Sequence, residues 1–302
     1  MHSHHSHSGE YVLHAKDNLD DIVNLAIERG FTTYCLTEHI PRNNDQDFYP
    51  EEKHLKVQDL FDNFEKFYHH ARRLQKQHKT EITLLVGFES DYIRADFKQL
   101  IQQIRDKYAF DMFVGSIHHV KEVPIDFDIT HWVEAMNRCG GTPRQLYATY
   151  FDDQYEMLKD LRPPVVGHFD LIRLFSIDDS EKPISQWPEV LERVNRNLDF
   201  IVSYGGLIEL NSAAIRKGWK EPYPREDICK IIIEKGGRFA LSDDSHGLAQ
   251  IGLNFHKVLD QVIKLGINKL YYLDLDDGKT VVREENVADI ILAPFWTQYR
   301  EI

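Results

Sequence analysis

Short β-branched or apolar runs alternate with longer helical patterns from one end of this 302-residue chain to the other, and that rhythm limits its fold most. The strand candidates are Thr32–Thr37, Ile82–Phe88, Phe110–Ser116, Pro164–Gly167, Gly206–Leu210, Arg238–Ser242 and Lys269–Leu273, with a very short one at Met1–His4. Helical periodicity marks Leu19–Arg29, Val57–His78, Phe97–Lys107, Arg144–Leu161, Trp187–Tyr204, Arg225–Lys235 and Leu253–Leu265. Asp17 or Asn18 can cap the first helix, and Gly30 ends it. A βαβα order implies a parallel sheet, and seven or eight repeats imply closure into a barrel. An open doubly wound sheet is the alternative.

Ile40–His54 and Pro124–Pro143 read as long loops, each following a histidine-bearing strand end, and Ser176–Pro188 reads as a shorter irregular piece. No Pro/Gly/Ser linker or low-complexity tract interrupts the pattern, so residues 1–302 are expected to form a single barrel domain.

Thirty-six basic residues against 49 acidic ones give a formal charge of −13. Such a surface argues against general binding to nucleic acid or anionic membrane. It leaves room for a small anionic substrate, because a few arginines and bound cations reverse the field locally. Cys35, Cys139 and Cys229 follow no CxxC spacing and imply no disulfide framework. With no signal peptide and no apolar stretch near 18 residues, the expected compartment is the cytoplasm.

The chemistry lies where the strands end. Reading each to its C-terminal end gives Thr37-Glu38-His39, Gly87-Phe88-Glu89, Gly115-Ser116-Ile117-His118-His119, Gly167-His168-Phe169-Asp170 and Ser242-Asp243-Asp244-Ser245-His246. The chain opens His2-Ser3-His4-His5-Ser6-His7, with His14 soon after. In parallel barrels the active site sits at that rim. Imidazole and carboxylate groups bind divalent transition metals, and a carboxylate can bridge two ions. A His-x-His pair in extended chain places both rings on one face. So many groups exceed one tetrahedral site and fit two or three ions, with Zn, Mn or Fe all suited to the donors.

These strand ends resemble the polymerase and histidinol phosphatase (PHP) superfamily, and within it the histidinol-phosphate phosphatase branch. The resemblance runs from His2 to about Gly252 with the motifs in family order. His2-Ser3-His4 followed by Ser8 is similar to the first motif, HxH with a serine beyond it; Thr37-Glu38-His39 resembles T-[DE]-H. Gly87-Phe88-Glu89 matches the strand with the bridging carboxylate, Gly115–His118 resembles GS-[VI]-H, and Gly167–Asp170 resembles GHFD. Ser242–His246 with Ile251-Gly252 is similar to the last motif. The resemblance implies a distorted (β/α)7 TIM-like barrel with its metal site at the C-terminal ends of the strands. It also implies nine ligands around three ions: His2, His4, His14, His39, Glu89, His118, His168, Asp244 and His246. Glu89 would bridge two ions, and the D-x-H spacing selects Asp244 over Asp243. One departure stands out. The family has a full first strand before its first histidine, whereas here Met1 immediately precedes His2.

The implied reaction is hydrolysis of L-histidinol phosphate to L-histidinol and phosphate, a step of histidine biosynthesis, by a metal-bridging hydroxide. Asp244, His246 and Glu89 are the catalytic candidates, the Asp–His pair for the leaving-group proton. Arg173 and Arg216 resemble the branch's phosphate-contacting positions, and Arg42 follows His39 closely; a guanidinium fork matches phosphate oxygens. The alternatives are another small phosphate ester, such as a nucleotide or sugar phosphate, or a non-catalytic metal-binding protein.

Overall fold

In a computed structural model that describes residues 1–176 and 182–299, seven parallel strands form the centre of the molecule. They are β1 (His2–Ser3), β2 (Thr33–His39), β3 (Thr83–Asp91), β4 (Val114–Ser116), β5 (Val165–Val166), β6 (Leu207–Asn211) and β7 (Arg238–Ser242). Each pairs in parallel with the next in this order. The ring nearly closes where β1 runs beside β7. There the amide of His4 donates to the Leu241 carbonyl at 3.2 Å, and the amide of His7 to that of Ser245 at 2.8 Å. The result is a distorted barrel, not an open sheet.

Period-two alternation gives each strand two different faces. Tyr34, Leu36, Leu84, Val86, Phe88, Ile208, Leu210, Phe239 and Leu241 join the large core beneath the helices. Cys35, Leu85, Val114, Val165, Leu207 and Ala240 form a second, smaller apolar cluster. The face that carries Cys35 and Leu85 continues to His39, Glu89 and Asp91, and the Leu207 face continues to Glu209 and Asn211. One face of each strand therefore supplies an apolar plug at the start and ligand chemistry at the end.

The helices complete the outer layer. The first, α1 (Leu19–Glu28), is capped by Asn18, whose side chain accepts from the Asp21 amide at 2.9 Å, and buries Leu19, Ile22, Val23 and Ala26. Its exit turn needs Gly30, at φ 80°, a conformation costly for other residues.

Three expectations are corrected. The Lys269–Leu273 run is a strand, spanning Lys269–Asp276, but it pairs antiparallel with Lys279–Asn286 outside the barrel. The edge of β7 that it would have extended already faces β1. Within Pro124–Pro143 lies a helix, Ile129–Arg138, started by the Asp128 side chain accepting from the His131 amide at 2.9 Å. Ile40–His54 holds two short 3-10 turns, Asp45–Asp47 and Pro50–Glu52. The Ser176–Pro188 piece includes the turn Ile184–Gln186, and its residues 177–181 lie outside the described residues.

Candidate metal centre

Glu89, at the end of β3 and 1% exposed, is the hub of the C-terminal rim. Its Oε2 lies 3.0 Å from His5 Nε2, 3.2 Å from His39 Nδ1 and 3.4 Å from His7 Nε2. Its Oε1 lies 3.2 Å from His118 Nε2 and 3.0 Å from His168 Nε2. Asp244 faces the same histidines, with Oδ1 3.8 Å from His5 Nε2 and 3.6 Å from His7 Nε2. A third grouping joins His7, His39 and His246, with His14 Nε2 3.3 Å from His39 Nε2. Two donors on one tetrahedral ion, each about 2.1 Å from it, stand roughly 3.4 Å apart. The observed spacings fall around that edge length, so the groups are placed as ligand sets for two or three divalent ions.

His39, Glu89, His118, His168, Asp244 and His246 therefore converge, with His14 at the solvent side of the cluster, its side chain 38% exposed. His2 and His4 do not. His2 stacks on Tyr272 at 5.1 Å, and its Nε2 accepts from the Leu241 amide at 3.3 Å. His4 Nε2 accepts from the Leu273 amide at 3.0 Å, and its Nδ1 lies 3.0 Å from the Leu241 carbonyl. Both rings turn to the Lys269–Asn286 hairpin. The HxH pair in the rim is His5-Ser6-His7. In extended chain, positions 2 and 4 share one face and positions 5 and 7 the other, so the two pairs cannot serve one centre. Moving the motif by three residues also restores the missing strand, since β1 now precedes it.

Three carboxylates that sequence reasoning missed hold the histidines. Asp91 Oδ1 lies 2.8 Å from His118 Nδ1 and 3.1 Å from His39 Nδ1. Glu209 Oε1 lies 3.1 Å from His5 Nδ1, while its Oε2 accepts from the His168 amide at 3.0 Å. Glu38 Oε2 stands 3.4 Å from His7 Nδ1, and Oε1 accepts from the Ser8 amide and hydroxyl. A carboxylate on Nδ1 fixes ring orientation and leaves Nε2 for an ion, as it does for His118 and His5. The available signal was the strand period: Asp91 follows Glu89 by two and shares its face. Asp243 turns away, accepting from Ser3 Oγ (2.9 Å) and the Gly252 amide (2.6 Å). Asp244, at φ 47°, swings its carboxylate into the rim instead.

Electrostatics fit cations. Burial alone would lower the pKa of His7, but the carboxylates of Glu38 and Glu89, each 3.4 Å from a ring nitrogen, outweigh it and raise it to about 9. His5 rises well above its usual value because Glu89, Asp244 and Glu209 overcome the same burial. Burial would push Glu89 up, but His5, His118 and His39 hold it well below the usual carboxylate range. The rim thus favours positive charge, which divalent ions would supply. His5 Nε2 and both His7 ring nitrogens are buried without a hydrogen bond, as expected of atoms whose partner is an ion.

Beside the cluster opens a cavity of about 350 Å³. Arg216 and Lys217 supply its positive wall, Asp126 and Glu51 its acidic groups, and Tyr49, Phe127 and Leu171 its apolar surface. Arg216 is fixed by its Nη atoms donating to the carbonyls of Asp243 (3.2 Å) and Asp244 (3.1 Å). The other two arginines do not line this cavity. Arg42, 4% exposed, pairs with Asp91 at 2.6 Å and with Glu52. Arg173, 2% exposed, meets Asp170 at 3.1 Å and the Pro222 carbonyl at 2.6 Å, between the rings of Trp219 and Tyr223. A buried guanidinium needs paired acceptors, and neighbouring carboxylates and carbonyls supply them before any ligand does.

Among known sequences, the PHP domain matches residues 3–213. The "Probable histidinol-phosphatase" of Schizosaccharomyces pombe is 42% identical over 95% of both chains. The histidinol-phosphatase of Saccharomyces cerevisiae is 36% identical, covering 98% of this chain and 99% of that one. Among solved structures, a Listeria monocytogenes protein superposes with a TM-score of 0.73 at 22% identity, covering 85% of this chain and 99% of its own. The histidinol phosphate phosphatase of Lactococcus lactis, complexed with zinc, L-histidinol and phosphate, gives 0.67 at 20% identity, covering 93% and 98%. At such identities these two likenesses concern the fold.

Proposed function

This chain belongs to the PHP domain family, in its histidinol-phosphatase branch, and on that premise we propose that it hydrolyses L-histidinol phosphate to L-histidinol and phosphate. The observation that carries the reading is the convergence of His5, His7, His39, His118, His168, Asp244 and His246 around Glu89, beside a cavity with both cationic and acidic walls. The whole-length relatives named for this activity point the same way, as does the zinc-, histidinol- and phosphate-bound structure that shares the fold.

Three ligand sets follow from the spacings. His5, His7, Glu89 and Asp244 would hold one ion; Glu89, His118 and His168 a second, with Glu89 shared; and a third would sit at His39 and His246, where His7 and His14 both approach. Bound divalent ions supply an activated water and neutralise phosphoryl charge. The protein's own part is positional. Arg216, braced by two carbonyls, offers its remaining N–H groups to the phosphoryl oxygens, and Lys217 adds charge on the same wall. Asp244, which lines the cavity, is the proton-transfer residue, and His246 stands beside it with Nδ1 2.9 Å from the Asp244 carbonyl. The carboxylate takes the proton lost by the attacking water and returns it to the leaving alkoxide. No phosphorylated side chain is needed.

We assign the whole of residues 1–302 to one working domain, because Asp244 and His246 lie beyond the matched segment yet complete the site. Three free cysteines suit a reducing compartment, the cytoplasm. Among the described residues no helix is long and apolar enough to cross a membrane. The test is phosphate release by the protein loaded with Zn or Mn. L-Histidinol phosphate is expected to turn over faster than nucleotide or sugar phosphates at equal concentration; the reverse order overturns the reading.

A further inference from the structure

The substrate carries a second charge close to the one being cleaved. In L-histidinol phosphate the ammonium sits on the carbon next to the ester CH2. Once the phosphate reaches the metal rim, its ammonium must meet the wall immediately beside the metal ligands. Asp126 stands there. The amide of Ile125 donates to the carbonyl of His118 at 2.8 Å, which ties the Asp126 segment to a rim histidine. Asp126 lines the same cavity as Arg216 and Lys217, and its Oδ1 is buried without a hydrogen-bond partner. An unpaired buried carboxylate oxygen is costly, and a cationic ligand removes that cost. The neighbouring apolar surface suits the carbon skeleton: Tyr49 and Phe127, from two different loops, approach to 6.2 Å between ring centroids. Of the other acidic groups of the cavity, Glu89 and Asp244 belong to the metal cluster, and Glu51 already faces His14, 3.6 Å from its Nδ1.

We propose that Asp126 is the residue that recognises the substrate's ammonium group, and so sets selectivity for amino-alcohol phosphates over uncharged or purely anionic phosphate esters. This rests on the phosphatase reading above and adds a residue to it. The ammonium is bound as a cation by a carboxylate, with no proton or group transferred.

The experiment compares wild type with Asp126→Asn and Asp126→Glu, all metal-loaded and with metal content measured. The substrates are L-histidinol phosphate and its analogue lacking only the amino group. In wild type the kcat/KM ratio should favour the amino substrate strongly. In Asp126→Asn that ratio should fall about 100-fold, mainly through KM, with intermediate behaviour in Asp126→Glu. A ratio within about threefold of wild type, or equal losses on both substrates, overturns the assignment. If wild type instead hydrolyses neither ester while retaining its metal, the phosphatase reading itself fails, an outcome with a different signature. Binding of the product L-histidinol, measured against its deaminated analogue, gives a second readout. Loss of the amino-group preference in Asp126→Asn is expected there, and an unchanged preference counts against the proposal.

Discussion

The decisive residues at the amino terminus differ by a register, not by type. Four histidines lie within His2–His7, and all four are buried, yet only two meet carboxylates. His5 Nε2 has no hydrogen bond and faces Glu89, whereas His2 Nε2 accepts from a backbone amide. The consequence is measurable. His5→Ala should lose at least one tightly held ion per chain and more than about 100-fold in kcat/KM. His2→Ala should keep its full metal content after dialysis and lose only stability, about 1–3 kcal/mol. Metal analysis of the two dialysed variants checks this, and full metal content in His5→Ala would falsify the assignment. Arginine identity behaves similarly. Arg42, Arg173 and Arg216 all follow strand ends, but only Arg216 among them lines the cavity, because the other two are consumed by Asp91, Glu52 and Asp170.

At the scale of elements, most strand and helix positions were legible. The strand Arg238–Ser242 and the helix Phe97–Lys107 stand as expected, the other expected helices depart by a residue or two at their ends, and the Phe110–Ser116 strand shortens to Val114–Ser116. The Lys269–Asp276 strand was recognisable as a strand but not as a hairpin arm. Its sequence has the same alternation as a barrel strand, and nothing local says which edge it will meet. Its place matters, because Leu273 fills the apolar cluster with Cys35, Leu85, Val165, Leu207 and Ala240. Leu273→Ala is expected to destabilise by about 2–5 kcal/mol in denaturant unfolding. A loss below roughly 0.5 kcal/mol would mean that the hairpin is an ornament and not a plug. The same variant removes no ligand, so its metal content should follow wild type.

The molecule as a whole couples folding to metal and pH through the buried rim. In the metal-free protein His7 is raised to about 9 by Glu38 and Glu89 against burial, and His5 is raised in the same direction. Groups whose folded pKa exceeds the unfolded value add stability that is fully present below about 6.5 and vanishes as pH climbs through the folded value. Glu89, held low, works oppositely: its contribution is present above about 4.5 and is lost on acidification. Metal-free protein should therefore melt at progressively lower temperature between pH 6.5 and 9. Metal-loaded protein, whose imidazoles are already deprotonated, should hold its melting temperature across that range. Apparent metal affinity should climb over the same interval, since each ion displaces protons. Melting curves with and without chelator decide it; a metal-free protein that gains stability toward pH 9 contradicts the charge balance described.

What the sequence determined was the strand–helix rhythm, the barrel it implies, and the supply of histidines and carboxylates at strand ends. These follow from local periodicity, which backbone geometry enforces residue by residue. The tertiary structure alone decided which HxH pair enters the rim, which arginine stays free for a ligand, and that Asp91 and Glu209 orient the histidines. Those outcomes depend on which faces meet after the ring closes and on which partner reaches a buried charge first. Two histidine pairs offset by three residues match the same HxH pattern; the missing strand before His2 hinted against the first, and the pairing of β1 between β2 and β7 decides for the second.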